Sequence, residues 1–163
     1  MKNKSLGIYF GIEGVAIAEI EKKKLTSSTY MPFSILEEEV ATYEELNTKI
    51  KIEALLQRGL RKVKTEAVDA IVSLPERDLT FRILEMPLMK KKELALALPL
   101  EIEKYIPFKI EDVCWDYRDR NIVREKKVSI GFLSAKKEQV EDTREVLENV
   151  SLHLESVDSS ALS

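Results

Sequence analysis

The chain has 163 residues, 44% of them hydrophobic, enough for one ordinary domain or two small ones with buried cores. Its 26 Lys+Arg against 29 Asp+Glu leave a net charge of -3, a mixed surface with no overall pull toward nucleic acid or anionic lipid. The single cysteine, Cys114, excludes an internal disulfide framework, and the single histidine, His153, leaves no material for a His/Cys metal site.

The start is basic, but Glu13 and Glu19 break the apolar run behind it, so it does not read as a signal peptide. No run approaches the roughly 18 apolar residues of a membrane span. A soluble, cytosolic protein is expected. Leu6 to Ile20 is rich in β-branched and aromatic residues and predicts two strands joined by a tight turn at Gly11 to Gly14. Lys22 to Lys24 predicts a second turn. Leu25 to Ile35 predicts a third strand, with Pro32 at an edge or an end. Thr42-Tyr-Glu-Glu45 has the spacing of a capping box, and Leu46, Ile50, Leu56, Leu60 and Val63 continue at near-helical spacing. The prediction is one helix over Tyr43 to Lys64, with Gly59 as a weak point. Ala67 to Leu74 reads as a short apolar strand, able to pair parallel to the first.

Prolines then mark a crossing between two parts of the chain. Leu79 to Glu85 predicts a strand that Pro87 ends. Lys90 opens a helix with Leu94, Leu98 and Ile102 on one stripe, which Leu96, Leu100 and Tyr105 are expected to widen. Pro99 inside it should kink the helix or leave a solvent-facing carbonyl unpaired. Val113 to Arg118 alternates, Asn121 to Lys126 is a polar turn, and Lys127 to Ala135 alternates again. A helix over Lys136 to Val150 and a short strand over Ser151 to Val157 complete the order. From Phe81 onward this gives an α+β run that could close on itself, behind an α/β first part.

Four stretches carry a resemblance: Val72-Ser-Leu-Pro-Glu-Arg-Asp78, Phe81-Arg-Ile-Leu-Glu-Met-Pro87, Glu103-Lys-Tyr-Ile-Pro-Phe108 and Asp116-Tyr117. With Leu133-Ser-Ala-Lys-Lys137 and Leu154-Glu-Ser-Val-Asp158, they resemble the PilM proteins of type IV pilus assembly. That family is related to the division protein FtsA within the actin-like ATPase superfamily. The resemblance implies the N-terminal half of an actin-like, ribonuclease H-like fold. Residues 1–81 would be the first part of subdomain 1A, 82–157 the inserted FtsA-type subdomain 1C, and 158–163 the return toward 1A. The chain end at Ser163 then reads as a cut.

The resemblance also implies a phosphate hairpin, normally Gly-hydrophobic-Asp-hydrophobic-Gly, small residues, then Val-Lys. Small residues let backbone amides approach phosphate, the aspartate orients the water shell of Mg, and the lysine adds positive charge. The matching stretch is Gly7 to Ala16, with Gly11 and Gly14 as the candidate cofactor-binding residues. Tyr9 stands at the aspartate position, Ala16 at the lysine position, and Ile12 and Glu13 replace small hydroxyl residues. A carboxylate at Glu13 would repel phosphate. The site reads as degenerate, so no cofactor is expected for this fragment, although ATP with Mg is possible in the family.

Among the other candidates, His153 reads as a surface residue and Cys114 as facing away from Val113 and Trp115, with no base to activate it. Asp116, Asp119 and Glu111 read as solvated charges rather than an acid/base pair. Lys90 to Lys92 and Lys136-Lys137 read as solvated rather than as sites for acidic partners or lipid, and nothing supports nucleic-acid readout. The remaining signal is apolar: Phe81, Ile83, Tyr105, Ile106 and Phe108. The resemblance implies that residues of this kind form a groove for an extended segment, because PilM proteins bind the cytoplasmic N-terminus of the inner-membrane protein PilN. Core packing is the competing reading at each position. The function expected is a cytoplasmic scaffold that binds partners, with possible self-association or pilus-motor contacts, and is not an enzyme. The alternatives are an actin-like ATPase with a divergent site and the cytoplasmic domain of a GspL-type type II secretion protein.

Overall fold

The computed structural model describes residues 4–39, 47–122 and 126–159. The chain divides into two units, one of residues 1–76 with 141–163 and one of residues 77–140.

The first unit is built on a five-stranded sheet. β1 (Lys4–Phe10) and β2 (Gly14–Glu21) form an antiparallel hairpin, and β3 (Lys24–Pro32) pairs antiparallel to β2. β4 (Asp69–Leu74) lies parallel to β1, as its apolar sequence predicts. β8 (His153–Ser159) lies parallel to β4 and gives the order β3-β2-β1-β4-β8. Strand residues alternate between faces. Leu6, Ile8, Val15, Ile17, Met31 and Val72 therefore gather, buried, on one face. Helix α2 (Thr48–Val63) packs there on β2 and β3. Its Gly59 sits so close that a Cβ would meet Ile17 Cδ1 at 2.5 Å. The glycine expected to weaken the helix instead lets it seat on the sheet.

Two local expectations need correction. The third strand stops at Pro32, and a short helix α1 (Ser34–Glu39) begins where strand was expected to run to Ile35. Pro32 is the last residue of an edge strand, where its missing N–H disturbs no ladder. Within the described residues the long helix begins at Thr48. Asn47 is extended (φ -69°, ψ 160°) and caps α2 by accepting a 2.9 Å bond from Ile50 N–H. The capping box at Thr42 lies outside the described residues. At the other end Lys64 is left-handed (φ 54°), and its N–H donates to Leu60 O.

The second unit is a three-stranded antiparallel sheet, order β5-β7-β6, with one helix on it. β5 (Leu79–Pro87) and β6 (Val113–Ile122) flank β7 (Lys127–Lys136). α3 (Lys91–Ile102) covers one face, its Leu94, Leu98 and Ile102 packed with Leu84, Ile130 and Phe132. Each such burial contributes about 1.5–3 kcal/mol. Glu93 accepts from Lys90 N–H at 3.1 Å, the second half of a capping box. Pro99 has no N–H for the Ala95 carbonyl, and Ala95 is exposed, so water can take that carbonyl. Leu96 and Leu100 do not widen the core stripe. They are 78% and 68% exposed, on the opposite side of the helix.

The division into two units falls at 76/77 and 140/141, beside the subdomain boundaries expected at 81/82 and 157/158. From Glu141 on, helix α4 (Lys137–Asn149) lies with β8 in the first unit. Lys49 of α2 binds Asp142 at 2.6 Å and Glu145 at 2.8 Å, and Asn149 donates to Glu53 at 2.7 Å, which ties α4 to α2. The two carboxylates, Asp142 first, raise the Lys49 pKa. β8 carries Leu154 and Val157 in register with Ala70 and Val72, and so it covers the open edge of β4.

Candidate functional site

Two places can be built from the residues upward. The first is the β1–β2 hairpin. Gly11 N–H donates to Gly14 O at 2.9 Å, and Phe33 N–H donates to Glu13 O at 2.9 Å. The Glu13 carbonyl is thus engaged by the chain itself, while the Ile12 and Glu13 side chains are exposed. Gly14 is required by its neighbour strand, because a Cβ there would lie 2.3 Å from Met31 O and 2.7 Å from Pro32 Cα. This accounts for the glycine by packing within the sheet alone. Tyr9 and Ala16 are direct cross-strand partners. The positions that should hold an aspartate and a lysine are therefore adjacent, and neither supplies a charge. Residues of this kind do not fit a magnesium nucleotide, because the cation has no oriented carboxylate and the phosphates have no lysine.

Behind the hairpin, the sheet face opposite α2 forms a concavity of about 620 Å³ lined by Gly7, Tyr9, Ala16, Tyr30, Ile71 and Ser73 among others. Its floor is mostly small or apolar. Ser73 Oγ is buried there without a hydrogen-bond partner.

The second place is the outer face of the second unit's sheet, opposite α3. Phe81 and Ile83 project from β5 on this face, 40% and 66% exposed. The register places Leu133 opposite Phe81 and Gly131 opposite Ile83. The Phe81 ring lies over Gly131, where a Cβ would meet it at 3.6 Å. A glycine in mid-strand thus gives the ring its seat. β5 is also an edge strand. Leu88 N–H donates to Lys126 O at 2.8 Å, which fixes the even-numbered residues toward β7. Main-chain groups of Phe81, Ile83 and Glu85 therefore face outward, where the described residues supply no neighbouring strand. Pro87 falls in the same outward set, and the Phe81 carbonyl accepts 2.9 Å from the Arg82 guanidinium.

The other three predicted partner-binding residues fall elsewhere. Ile106 is 7% exposed and belongs to the core under α3. Tyr105 is exposed just beyond the helix, its N–H donating to Ile102 O at 2.9 Å. Phe108 lies under Lys136 Nζ, 4.5 Å from its ring centroid. Phe81 and Ile83 thus form one group, and Tyr105 and Phe108 come from the segment that closes the opposite face. Gly131 and Leu133 were missed in the sequence. The available signal was the register, which a lone alternating strand does not reveal.

The minor candidates stay minor. Cys114 is exposed. Asp116 accepts from Tyr117 N–H at 2.8 Å and pairs with Arg118 at 3.1 Å, while Glu111 lies 3.6 Å from Lys109. His153 is exposed, 3.4 Å from the buried Asp69. Among the described residues no three His, Cys, Asp or Glu side chains are placed to hold a metal ion. Among them, too, no helix is long and apolar enough to cross a membrane.

No curated protein sequence matches the chain significantly. Among solved structures, a chain of the PilM-PilN type IV pilus biogenesis complex is similar, with 22% identity and a TM-score of 0.76 over 96% of this chain and 47% of that one. The cytoplasmic domain of EpsL, an inner membrane component of the type II secretion system of Vibrio cholerae, is similar in fold, with 13% identity and a TM-score of 0.61 over 94% of this chain and 56% of that one. The chain thus spans about half the length of each. The fold is the corresponding half of an actin-like fold, as the sequence resemblance implies. The family model of type IV pilus assembly protein PilM matches residues 7–162, nearly the whole sequence, and the chain belongs to that family.

Proposed function

We propose that this chain is a cytoplasmic, partner-binding scaffold of type IV pilus assembly that receives an extended segment from the N-terminus of a PilN-type inner-membrane protein. The observation that carries this is the β5 edge, which offers outward main-chain groups beside exposed Phe81 and Ile83. An extended segment can pair with such an edge and place alternate side chains on the apolar pair. The likeness to a PilM-PilN complex supports the choice of partner. Tyr105 and Phe108 are proposed as a second set of contacts, and Ile106 as the core anchor of the segment that carries them. Neither role needs nucleotide, and the hairpin residues do not favour it. We read the chain as having no enzymatic activity of its own.

The test is a titration with the N-terminal peptide of that membrane protein. Phe81→Ser with Ile83→Ser is expected to weaken binding at least about tenfold, roughly 1.4 kcal/mol. Unchanged affinity in a folded double variant would refute the site. A second reading, the cytoplasmic domain of a GspL-type secretion protein, is supported by the fold likeness to the EpsL domain. A membrane-spanning helix elsewhere in the same polypeptide would favour it.

A further inference from the structure

The end of the first unit at which β1 begins gathers basic residues from separate parts of the chain. Glu21, at the end of β2, pairs with Lys4 on one side and Lys24 on the other, so the Lys22 to Lys24 turn lies beside the start of β1. β4 runs parallel to β1 and enters at the same end. Thr65 donates to Glu19 at 2.5 Å, which brings the end of α2 there as well. Lys22, Lys23, Lys24, Arg61, Lys62 and Lys64 are all exposed. None of them has an acidic partner among the described residues. The carboxylates of the same segments do not balance them. Glu19 and Asp69 are buried, Glu19 held by Thr65, Thr26 and Lys4 and Asp69 facing His153, which leaves Glu21 and Glu66. A chain of net charge -3 thus carries a local basic pole. Apolar side chains stand among the cations. Ile20 and Leu25 are cross-strand partners next to the turn, 41% and 64% exposed, and Val68, just before β4, is 54% exposed. Lys22, Lys23 and Lys64 also hold left-handed φ, at 49°, 66° and 54°. Asn or Gly suits such positions better, so lysines there cost local stability.

We propose that this end of the first unit rests on an anionic membrane surface. The lysine and arginine head groups meet lipid phosphates, and each strengthens attachment about fivefold near such a surface. Ile20, Leu25 and Val68 enter the boundary between headgroups and acyl chains, which gives the exposed aliphatics a use that charge alone does not. Nucleic acid fits less well. It would meet the charge, but none of these residues is aromatic, so bases have nothing to stack on, and the aliphatics gain nothing from a phosphate backbone. No residue of the β5 edge takes part, so this attachment stands apart from the binding of a peptide partner. It is reversible and sensitive to salt.

The experiment is co-sedimentation of the full chain with lipid vesicles at about 0.1 M salt. Phosphatidylcholine vesicles with about 30% phosphatidylglycerol should pellet the chain, pure phosphatidylcholine should not, and about 0.5 M salt should release it. Lys23→Gly and Lys64→Gly each relax a left-handed position, so unfolding cannot explain a loss of binding in them. Each should weaken binding about fivefold, and the pair about twentyfold, because the two positions serve one surface. Leu25→Ser with Val68→Ser should weaken it about tenfold with unchanged charge and unchanged circular dichroism. Absence of pelleting with the anionic vesicles overturns the proposal. So does equal pelleting with both compositions, or a double glycine variant that binds like the wild type. Undiminished binding by the Leu25 and Val68 variant overturns the insertion of those side chains. Binding to double-stranded DNA without binding to the vesicles assigns the pole to nucleic acid instead.

Discussion

Glu19 is buried on the helix-covered face of the first sheet and is held as a carboxylate by its neighbours. Thr65 Oγ1 donates to it at 2.5 Å and Thr26 Oγ1 at 2.7 Å, with Lys4 Nζ 3.7 Å away. The Thr65 bond is the largest cause of a pKa below the usual 4.5, followed by the Thr26 bond. Because the folded value is depressed, this contribution to stability is complete above the ordinary carboxylate range and is lost as pH falls through the folded pKa. Thermal melts should therefore show stability falling between about pH 5 and pH 3, with a shallower fall in Glu19→Gln. The β2–β3 turn offers a second test. Lys22 and Lys23 both have positive φ, 49° and 66°, where the hairpin geometry favours Asn-Gly. Lys23→Gly should raise stability by about 0.5–1 kcal/mol in denaturant melts, because a side chain at left-handed φ costs about that much.

Among the elements, strands and helices were legible where one face alone is apolar. β7 alternates through Val128, Ile130 and Phe132, and all three are buried. Pairing was legible for β1 with β4 but not for β8, because two apolar residues, Leu154 and Val157, do not say which sheet edge is open. α3 misled for a different reason. Leucines on both sides of the helix leave no apolar direction to read, and only the fold shows that Leu96 and Leu100 miss the core. Gly59 misled because propensity treats it as a helix weakness. Its use is the close seat on Ile17, which lies 42 residues earlier in the chain. Gly59→Leu should accordingly destabilise by about 1–3 kcal/mol through overpacking, whereas Gly59→Ala is partly offset by about 1 kcal/mol of helix propensity. Paired urea melts of the two variants read that difference. The apolar Phe81 and Ile83 were legible as a candidate site. Their platform on Gly131 was not, since it depends on the neighbour strand's register.

At the scale of the molecule, the two units carry different parts of the actin-like plan. The first keeps the hairpin architecture but holds Tyr9 and Ala16 where charge would be needed. Magnesium with ATP should therefore leave the melting temperature of this chain unchanged in a thermal-shift assay, and a rise of several degrees would restore the nucleotide reading. The second unit carries the β5 edge on which the scaffold reading rests. The most direct test of that reading is a calorimetric titration of the full chain with the N-terminal peptide of a PilN-type membrane protein. The account predicts saturable binding tighter than about 1 mM, roughly -4 kcal/mol, lost with the Phe81 and Ile83 double variant. No binding at millimolar peptide, or equal binding by that variant, would contradict it.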